Sequence, residues 1–186
     1  MKTTTFVFLV MCALLIGCKS ATSPLTEEEK KIVGKYYTAI SKDMEKTDTT
    51  PECTVMLELY TTYRTDRVCE QTGTCMLVVK GIDILKQPSL SLKFDVAVKS
   101  DWRVENDYLK GNTDPESIKW KFVEANAETE EAKMLVKLLK TAFPTLSFGM
   151  KIALMEPGED TIIVELTDEK LVIEQGGEQF TNIRMK

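Results

Sequence analysis

Apolar and polar residues alternate along most of this chain with a period of two. Ser89–Lys99 is the clearest stretch: Leu90, Leu92, Phe94, Val96 and Val98 share one face, and Ser91, Lys93, Asp95, Ala97 and Lys99 share the other. Such alternation predicts a strand with one face buried and one solvated, as in antiparallel sheets. The phase carries on to Trp102 and Val104. Val55, Leu57, Leu59, Thr61 and Tyr63 alternate with Met56, Glu58, Tyr60, Thr62 and Arg64, and Ile118, Trp120 and Phe122 with Lys119 and Lys121. Further strands are expected where Leu146, Phe148, Met150, Ile152 and Leu154 form one face, around Ile162, Val164 and Leu166, at Leu171–Glu174 and at Glu178–Met185. Asn106-Asp107, Pro157-Gly158-Glu159-Asp160, Thr167-Asp168-Glu169-Lys170 and Gly176-Gly177 are the turn signals between them.

Two stretches depart from this period. Thr26 and Glu29 have capping-box spacing, acids crowd the first turn, Lys30 and Lys31 come late, and Gly34 offers a stop. This predicts a short helix. A second helix is expected within 126–143. Asn126 would cap it, Glu128, Glu130 and Glu131 lie early, and Lys133, Lys137 and Lys140 lie late. Met134, Leu135, Leu138, Leu139 and Ala142 would make its apolar face, and Pro144 would stop it. The whole reads as mainly β: eight to ten short strands, mostly joined by hairpins, in an antiparallel up-and-down barrel or strongly curled sheet. The inserted amphipathic helix would cap a barrel end or present its face to a partner.

The first residues follow neither pattern. Lys2 precedes an apolar run of 12 residues, Phe6–Gly17. A membrane-spanning helix needs about 20, whereas a signal peptide has an apolar segment of this length. Leu15-Ile16-Gly17-Cys18 resembles the lipobox of bacterial lipoproteins. The resemblance implies cleavage between Gly17 and Cys18 and acylation of the Cys18 thiol, with the membrane lipid as anchor; more than one acyl chain holds a protein firmly. Lys19 follows the cysteine, where an Asp would retain such proteins at the inner membrane, so the outer membrane is the expected address. The expected organisation is a signal over 1–17, a lipidated tether over 18–23 and a single domain over 24–186.

Composition narrows the chemistry. The net charge of −5 becomes −6 once Lys2 is removed, and no basic run exceeds two residues. Nucleic acid is therefore a poor partner. Histidine is absent from the chain, which excludes Ser-His-Asp and Cys-His catalysis, His-based zinc sites and the usual near-neutral base. Asp66, Asp83, Asp95, Asp101, Asp107 and Glu165 show no spacing that selects a working pair, and Ser41, Ser89 and Ser100 lack a partner base. No catalytic residue, metal ligand or cofactor is assigned. Of five cysteines, Cys12 leaves with the signal and Cys18 takes lipid, leaving Cys53, Cys69 and Cys75. Cys69 and Cys75 flank Glu70–Thr74, read as a turn, so a disulfide between them is favoured, with buried thiols or a metal site as alternatives.

Gly34-Lys35-Tyr36, directly after the short helix, resembles the Gly-x-Trp of the lipocalins, with Tyr at the Trp position. Trp102-Arg103-Val104-Glu105-Asn106-Asp107-Tyr108-Leu109 resembles a mid-chain hairpin of lipocalin-like bacterial lipoproteins. Ile163–Ile173, with Leu166-Thr167-Asp168-Glu169-Lys170-Leu171, resembles their C-terminal hairpin. Phe180 and Arg184 fall where those proteins carry an aromatic and an Arg on the last strand. The resemblance implies a barrel with a ligand cup, closed at the bottom by Arg184 across Tyr36. The inserted helix departs from it, since lipocalins carry their main helix near the chain end. The inward faces of such a barrel would be Leu57, Leu59, Leu92, Phe94, Val96, Trp102, Trp120, Phe122, Phe148, Met150 and Ile152, lining a cup or filling a core. The expected function is a non-catalytic, membrane-anchored binding module for a small apolar or amphipathic ligand. The alternative is a structural or interaction lipoprotein with a filled barrel, acting through its loops or helix face.

Overall fold

The structure is a computed structural model and describes residues 23–47, 51–155 and 161–186, with only the backbone of 144–155 described. Ten strands form one mainly antiparallel-paired, strongly curled sheet. They are β1 (Gly34–Met44), β2 (Cys53–Tyr63), β3 (Val68–Lys80), β4 (Ser89–Asp101), β5 (Arg103–Glu105), β6 (Tyr108–Lys110), β7 (Lys119–Ala125), β8 (Thr161–Leu166), β9 (Lys170–Gln175) and β10 (Glu178–Arg184). Among the described residues there are two α-helices, α1 (Glu27–Ile32) and α2 (Glu130–Met155), and two single-turn 3-10 helices, Asp83–Leu85 and Pro115–Ser117. The sheet order is β5-β6-β8-β9-β10-β1-β2-β3-β4-β7.

Alternation explains the long strands. Cys53, Val55, Leu57, Leu59, Thr61 and Tyr63 on β2 are buried, while the residues between them are partly or fully exposed. On β4 Leu90, Leu92, Val96, Val98 and Ser100 are buried on the matching face. The curl can be read from register. Glu105 pairs with Tyr108, Tyr108 with Ile162, Ile162 with Glu174 and Glu174 with Gln179. Beyond β10, Ser41 pairs with Met56, Met56 with Met76 and Met76 with Lys93. Carrying the Tyr37–Ile183 register of β1 and β10 along to Gln179 puts it level with Ser41, so a path across the sheet from Glu105 on β5 reaches β4 at Lys93, twelve positions earlier in the chain. A stagger of this kind is what tilted strands produce when a sheet curls round on itself. Gly73 permits the tightest approach: a Cβ there would lie 1.9 Å from the Glu58 carbonyl oxygen.

Turn chemistry holds where it was legible. Asn106 (φ 50°) and Asp107 (φ 67°) join β5 to β6, and Gly176 (φ 60°) and Gly177 (φ 77°) join β9 to β10, left-handed pairs of the kind that two-residue hairpins require. The capping box of α1 is present: Thr26 Oγ1 accepts from Glu29 N at 3.1 Å, and Glu29 Oε2 accepts from Thr26 N at 2.9 Å. Gly34 does not end that helix in a left-handed cap; Val33 is the C-cap and Gly34 opens β1.

Three expectations are corrected. Glu70–Thr74 is no turn but the interior of β3, so Cys69 and Cys75 stand six positions apart on one strand. That is about 20 Å of strand, far beyond the roughly 7 Å between Cα atoms that a disulfide tolerates. Both are free, buried thiols, as is Cys53. The expected strand at 146–154 is the second half of α2, which runs through Pro144 to Met155. Leu146, Met150 and Leu154 recur at helical as well as strand spacing, and short apolar runs do not distinguish the two periods. Thr129, not Asn126, caps α2, its hydroxyl accepting from Ala132 N at 3.1 Å. Asn126 instead pins the end of β7 to β4, its backbone N–H donating to the Ser91 carbonyl at 3.2 Å and its side-chain oxygen accepting from Ser91 N. The expected strongly curled antiparallel sheet, mostly joined by hairpins, is what forms, with β7 beside β4 and β6 beside β8 as the pairings between strands that are not consecutive, besides that of β10 with β1.

Candidate functional site

The concave face of the sheet has two unlike ends. At one, Ile32, Tyr36, Tyr63 and Trp102 are all 2% exposed or less. Tyr63 meets Tyr36 edge-on at 5.7 Å and Trp102 edge-on at 5.3 Å between ring centroids. Trp102 Nε1 donates to the Arg64 carbonyl at 3.2 Å. Arg184 is the register partner of Tyr36 and lies over its ring at 4.9 Å. Its guanidinium donates to the Tyr36 hydroxyl at 2.6 Å, to the Val33 carbonyl at 2.9 Å and to the Lys31 carbonyl. The Tyr36 hydroxyl in turn donates to the Ile32 carbonyl at 2.9 Å. Gly34 makes room for this: a Cβ there would sit 2.6 Å from Arg184 Nη1. Burial raises the Tyr36 pKa, and the Arg184 charge opposes that rise.

Beside this cluster lies a buried ion pair. The Glu29 side chain is 2% exposed and receives Arg67 Nη2 at 2.8 Å and Arg67 Nε at 3.2 Å. It also accepts from the backbone N–H of Thr26 and, at 3.3 Å, of Val104. Burial pushes its carboxyl pKa upward, but the Arg67 hydrogen bond, the two backbone donors and the Arg67 charge together hold it below the usual 4.5. Arg67 also reaches the Ser23 carbonyl at 2.9 Å and the Pro24 carbonyl at 3.4 Å. One arginine in the β2–β3 turn therefore binds α1, the β4–β5 corner and the incoming chain.

The other end is built from aromatic residues and α2. Phe94 on β4 meets Phe122 at 5.6 Å and Trp120 at 6.3 Å, both edge-on, and stacks on Phe143 of α2 at 5.5 Å and 15°. Phe94, Trp120 and Phe122 are only partly buried. Lys140 stands over the Phe122 ring at 4.8 Å. Trp120 Nε1 is buried with no hydrogen-bond partner among the described residues. The helix is seated by polar ties: Thr129 Oγ1 donates to the Leu85 carbonyl at 2.6 Å, and Gln87 Oε1 accepts from Glu128 N at 3.0 Å. Ala132 and Val136 are buried against Leu85, Leu90 and Leu92, with Leu135 and Leu139 alongside. Met134 (67% exposed) and Leu138 (61%) face outward, so the buried stripe of α2 is rotated from the face expected of it.

The residues expected to line a cup therefore divide. Trp102 belongs to the filled end. Leu92 and Val96 are buried core at 6% and 3% exposure. Phe94, Trp120 and Phe122 form the half-open aromatic wall. The Phe148 and Met150 side chains lie outside the described residues, as do Gly17 and Cys18. Asp66, Asp83, Asp95 and Asp107 are exposed and Asp101 and Glu165 partly so; Asp66 pairs with Arg64 at 2.8 Å and Glu165 with Lys170 at 2.7 Å. Burial pushes the Cys69 thiol up to about 12 and Cys75 up to about 11, which keeps both protonated and poorly nucleophilic. Sequence reasoning missed two features. The Glu29–Arg67 pair joins residues 38 positions apart, and no local pattern marks it. Phe143 carries no signal of its own, because Pro144 directly after it reads as a helix stop.

No family model matches this chain, and no curated protein matches it. What the fold defines is a class: a mainly β, strongly curled antiparallel sheet, filled at one end and lined by aromatic residues under a helix at the other.

Proposed function

We propose that this protein is a lipid-anchored lipoprotein of the cell envelope, held in the outer membrane through Cys18, that binds a small apolar or amphipathic molecule and performs no catalysis. The observation that carries the ligand part is the aromatic wall. Phe94, Trp120 and Phe122 stay partly exposed on a concave face, where burial of apolar surface would otherwise be favourable by about 25 cal/mol per Å². Ligand sites are commonly concave and apolar with few polar groups. The buried Trp120 N–H, without a partner among the described residues, is available to a hydrogen-bond acceptor, and Lys140 over Phe122 supplies a cation nearby. An apolar body with an acceptor-bearing head answers both.

Native mass spectrometry of the protein purified from its own cells tests this reading, together with amphiphile titration followed by Trp emission. A reproducible small-molecule adduct and a saturable shift in emission are expected. An empty protein that no amphiphile perturbs would overturn it. For the anchor, Cys18→Ser abolishes lipid labelling and leaves the precursor uncleaved; continued processing after Gly17 would instead mean an ordinary secretory signal.

A second reading draws on α2. Met134 and Leu138 are exposed on its outer face, and a protein partner would cover them. An empty barrel in the mass spectrometer, combined with loss of a co-purified protein in Met134→Glu, favours this reading.

A further inference from the structure

The two ends also differ in where the chain enters. Arg67 holds Ser23 and Pro24 by their carbonyls, and α1 follows at once. Ser23 is five positions after Cys18, a reach of at most about 18 Å for an extended chain. The loop at 81–88 is at the opposite end of β3, which runs thirteen residues from Val68 beside Arg67 to Lys80, about 40 Å of strand. An acylated Cys18 would therefore keep the filled end near the bilayer and leave the loop at 81–88, with the start of α2, on the far side.

The convex surface at the near end has a matching composition. Ile183, Tyr37 and Tyr60 are direct cross-strand neighbours on β10, β1 and β2. The two tyrosine rings lie 5.3 Å apart. Met185 follows, its amide donating to the Lys35 carbonyl at 2.8 Å. Tyr60 is 46% exposed, Ile183 51% and Met185 43%. Lys35 and Lys186 are exposed beside them. Lys170, the partner of Ile183 in register, is neutralised by Glu165 at 2.7 Å, and Glu58 accepts from the Tyr37 hydroxyl at 3.4 Å. Tyrosines, aliphatic residues and lysines together suit the bilayer interface, where amphipathic rings lie at headgroup level and lysines keep their ammonium in water.

Resting on the lipid-anchor reading, we infer that this convex patch, centred on Tyr37, Tyr60, Ile183 and Met185, docks on the phospholipid surface. The mouth under α2 then opens away from the bilayer. The ligand exchanges with the aqueous compartment or with another surface across it, not with the anchoring membrane.

Two tryptophan variants of the full, lipidated chain test this in vesicles of phosphatidylethanolamine and phosphatidylglycerol carrying brominated acyl chains. Tyr60→Trp marks the patch; Ile84→Trp marks the far loop, where Ile84 is 74% exposed. Both sites are at the surface, so both variants should fold, and each is read against the parent emission of Trp102 and Trp120. Added emission from Tyr60→Trp should shift to the blue and be largely quenched, while that from Ile84→Trp stays red and unquenched. Quenching at Ile84→Trp, or at neither site, in protein that floats with the vesicles overturns the docking and leaves the anchor intact; the latter result would assign the patch to a protein or a second copy. Protein that fails to float with the vesicles overturns the anchor reading and the docking with it.

Discussion

The end that α1 closes and the end that α2 covers are made from the same kind of strand, yet they are held by different forces. At the α1 end, side chains reach across long stretches of sequence to satisfy buried groups: Arg67 to Glu29, Arg184 to Val33 and Tyr36, Trp102 to Arg64. Each such contact has one geometry, and a buried group deprived of its partner is costly. At the α2 end the polar ties gather at the start of the helix, from Thr129, Gln87, Asn126 and the Lys86–Glu131 pair, and the remaining contacts are ring on ring, Lys140 over Phe122 and aliphatic side chain on sheet. Such contacts are non-directional and tolerate repacking. The difference teaches that one end is held by directional contacts between named partners and the other by packing that tolerates substitution.

The largest effect should come from breaking the fixed end. Glu29→Ala strands the Arg67 charge and two backbone donors, and removing one partner of a buried pair costs about 3–5 kcal/mol. Denaturant unfolding at neutral pH measures it. The same pair sets an acid dependence. Because the Glu29 carboxyl is held below its ordinary 4.5 in the folded chain, its contribution is full above that ordinary value. It disappears as the pH falls through the lower, folded value. Glu29→Gln should therefore flatten the loss of stability in that window. An unchanged acid slope would show that other carboxylates carry it.

This is also where sequence and structure part company. Strand faces on β2 and β4 were legible because each depends on a period of two within one segment. So were the α1 capping box and the Asn106-Asp107 and Gly176-Gly177 hairpins, which depend on residues a few positions apart. The Tyr36–Arg184 pairing was suggested by resemblance alone. The reading of Glu70–Thr74 failed because Gly73 serves a close backbone approach to Glu58, not a turn, and the two uses look alike in one dimension. Residues 146–154 misled because their apolar positions satisfy both periods. Glu29–Arg67 and Phe94–Phe143 were invisible because tertiary folding alone brings them together.

A smaller loss is expected at the same end from Arg184→Lys. The charge stays, but the planar fork that spans Tyr36, Val33 and Lys31 does not. Loss of the ring contact alone is worth about 0.5–2 kcal/mol. Thermal unfolding would register it, and a variant as stable as the parent would mean that charge, not geometry, closes this end.

The smallest loss of stability, and the sharpest test of the contrast, belongs to Phe143→Ala. Its ring stacks on Phe94 from the covering helix; the aromatic pair is worth about 0.5–1.5 kcal/mol, and the apolar area of this partly buried ring adds about 1 kcal/mol more. Thr129, Gln87, Ala132 and Val136 still seat the helix start, so the fold should survive with a modest shift in its denaturation midpoint. Amphiphile affinity should instead fall markedly, because Phe143 forms one side of the aromatic wall. Arg184→Lys should behave in the opposite way, losing stability while keeping affinity. Measuring both variants for both quantities separates the two ends. If Phe143→Ala unfolds the chain as severely as Glu29→Ala, the helix is part of one continuous core, and the aromatic wall is packing rather than a site.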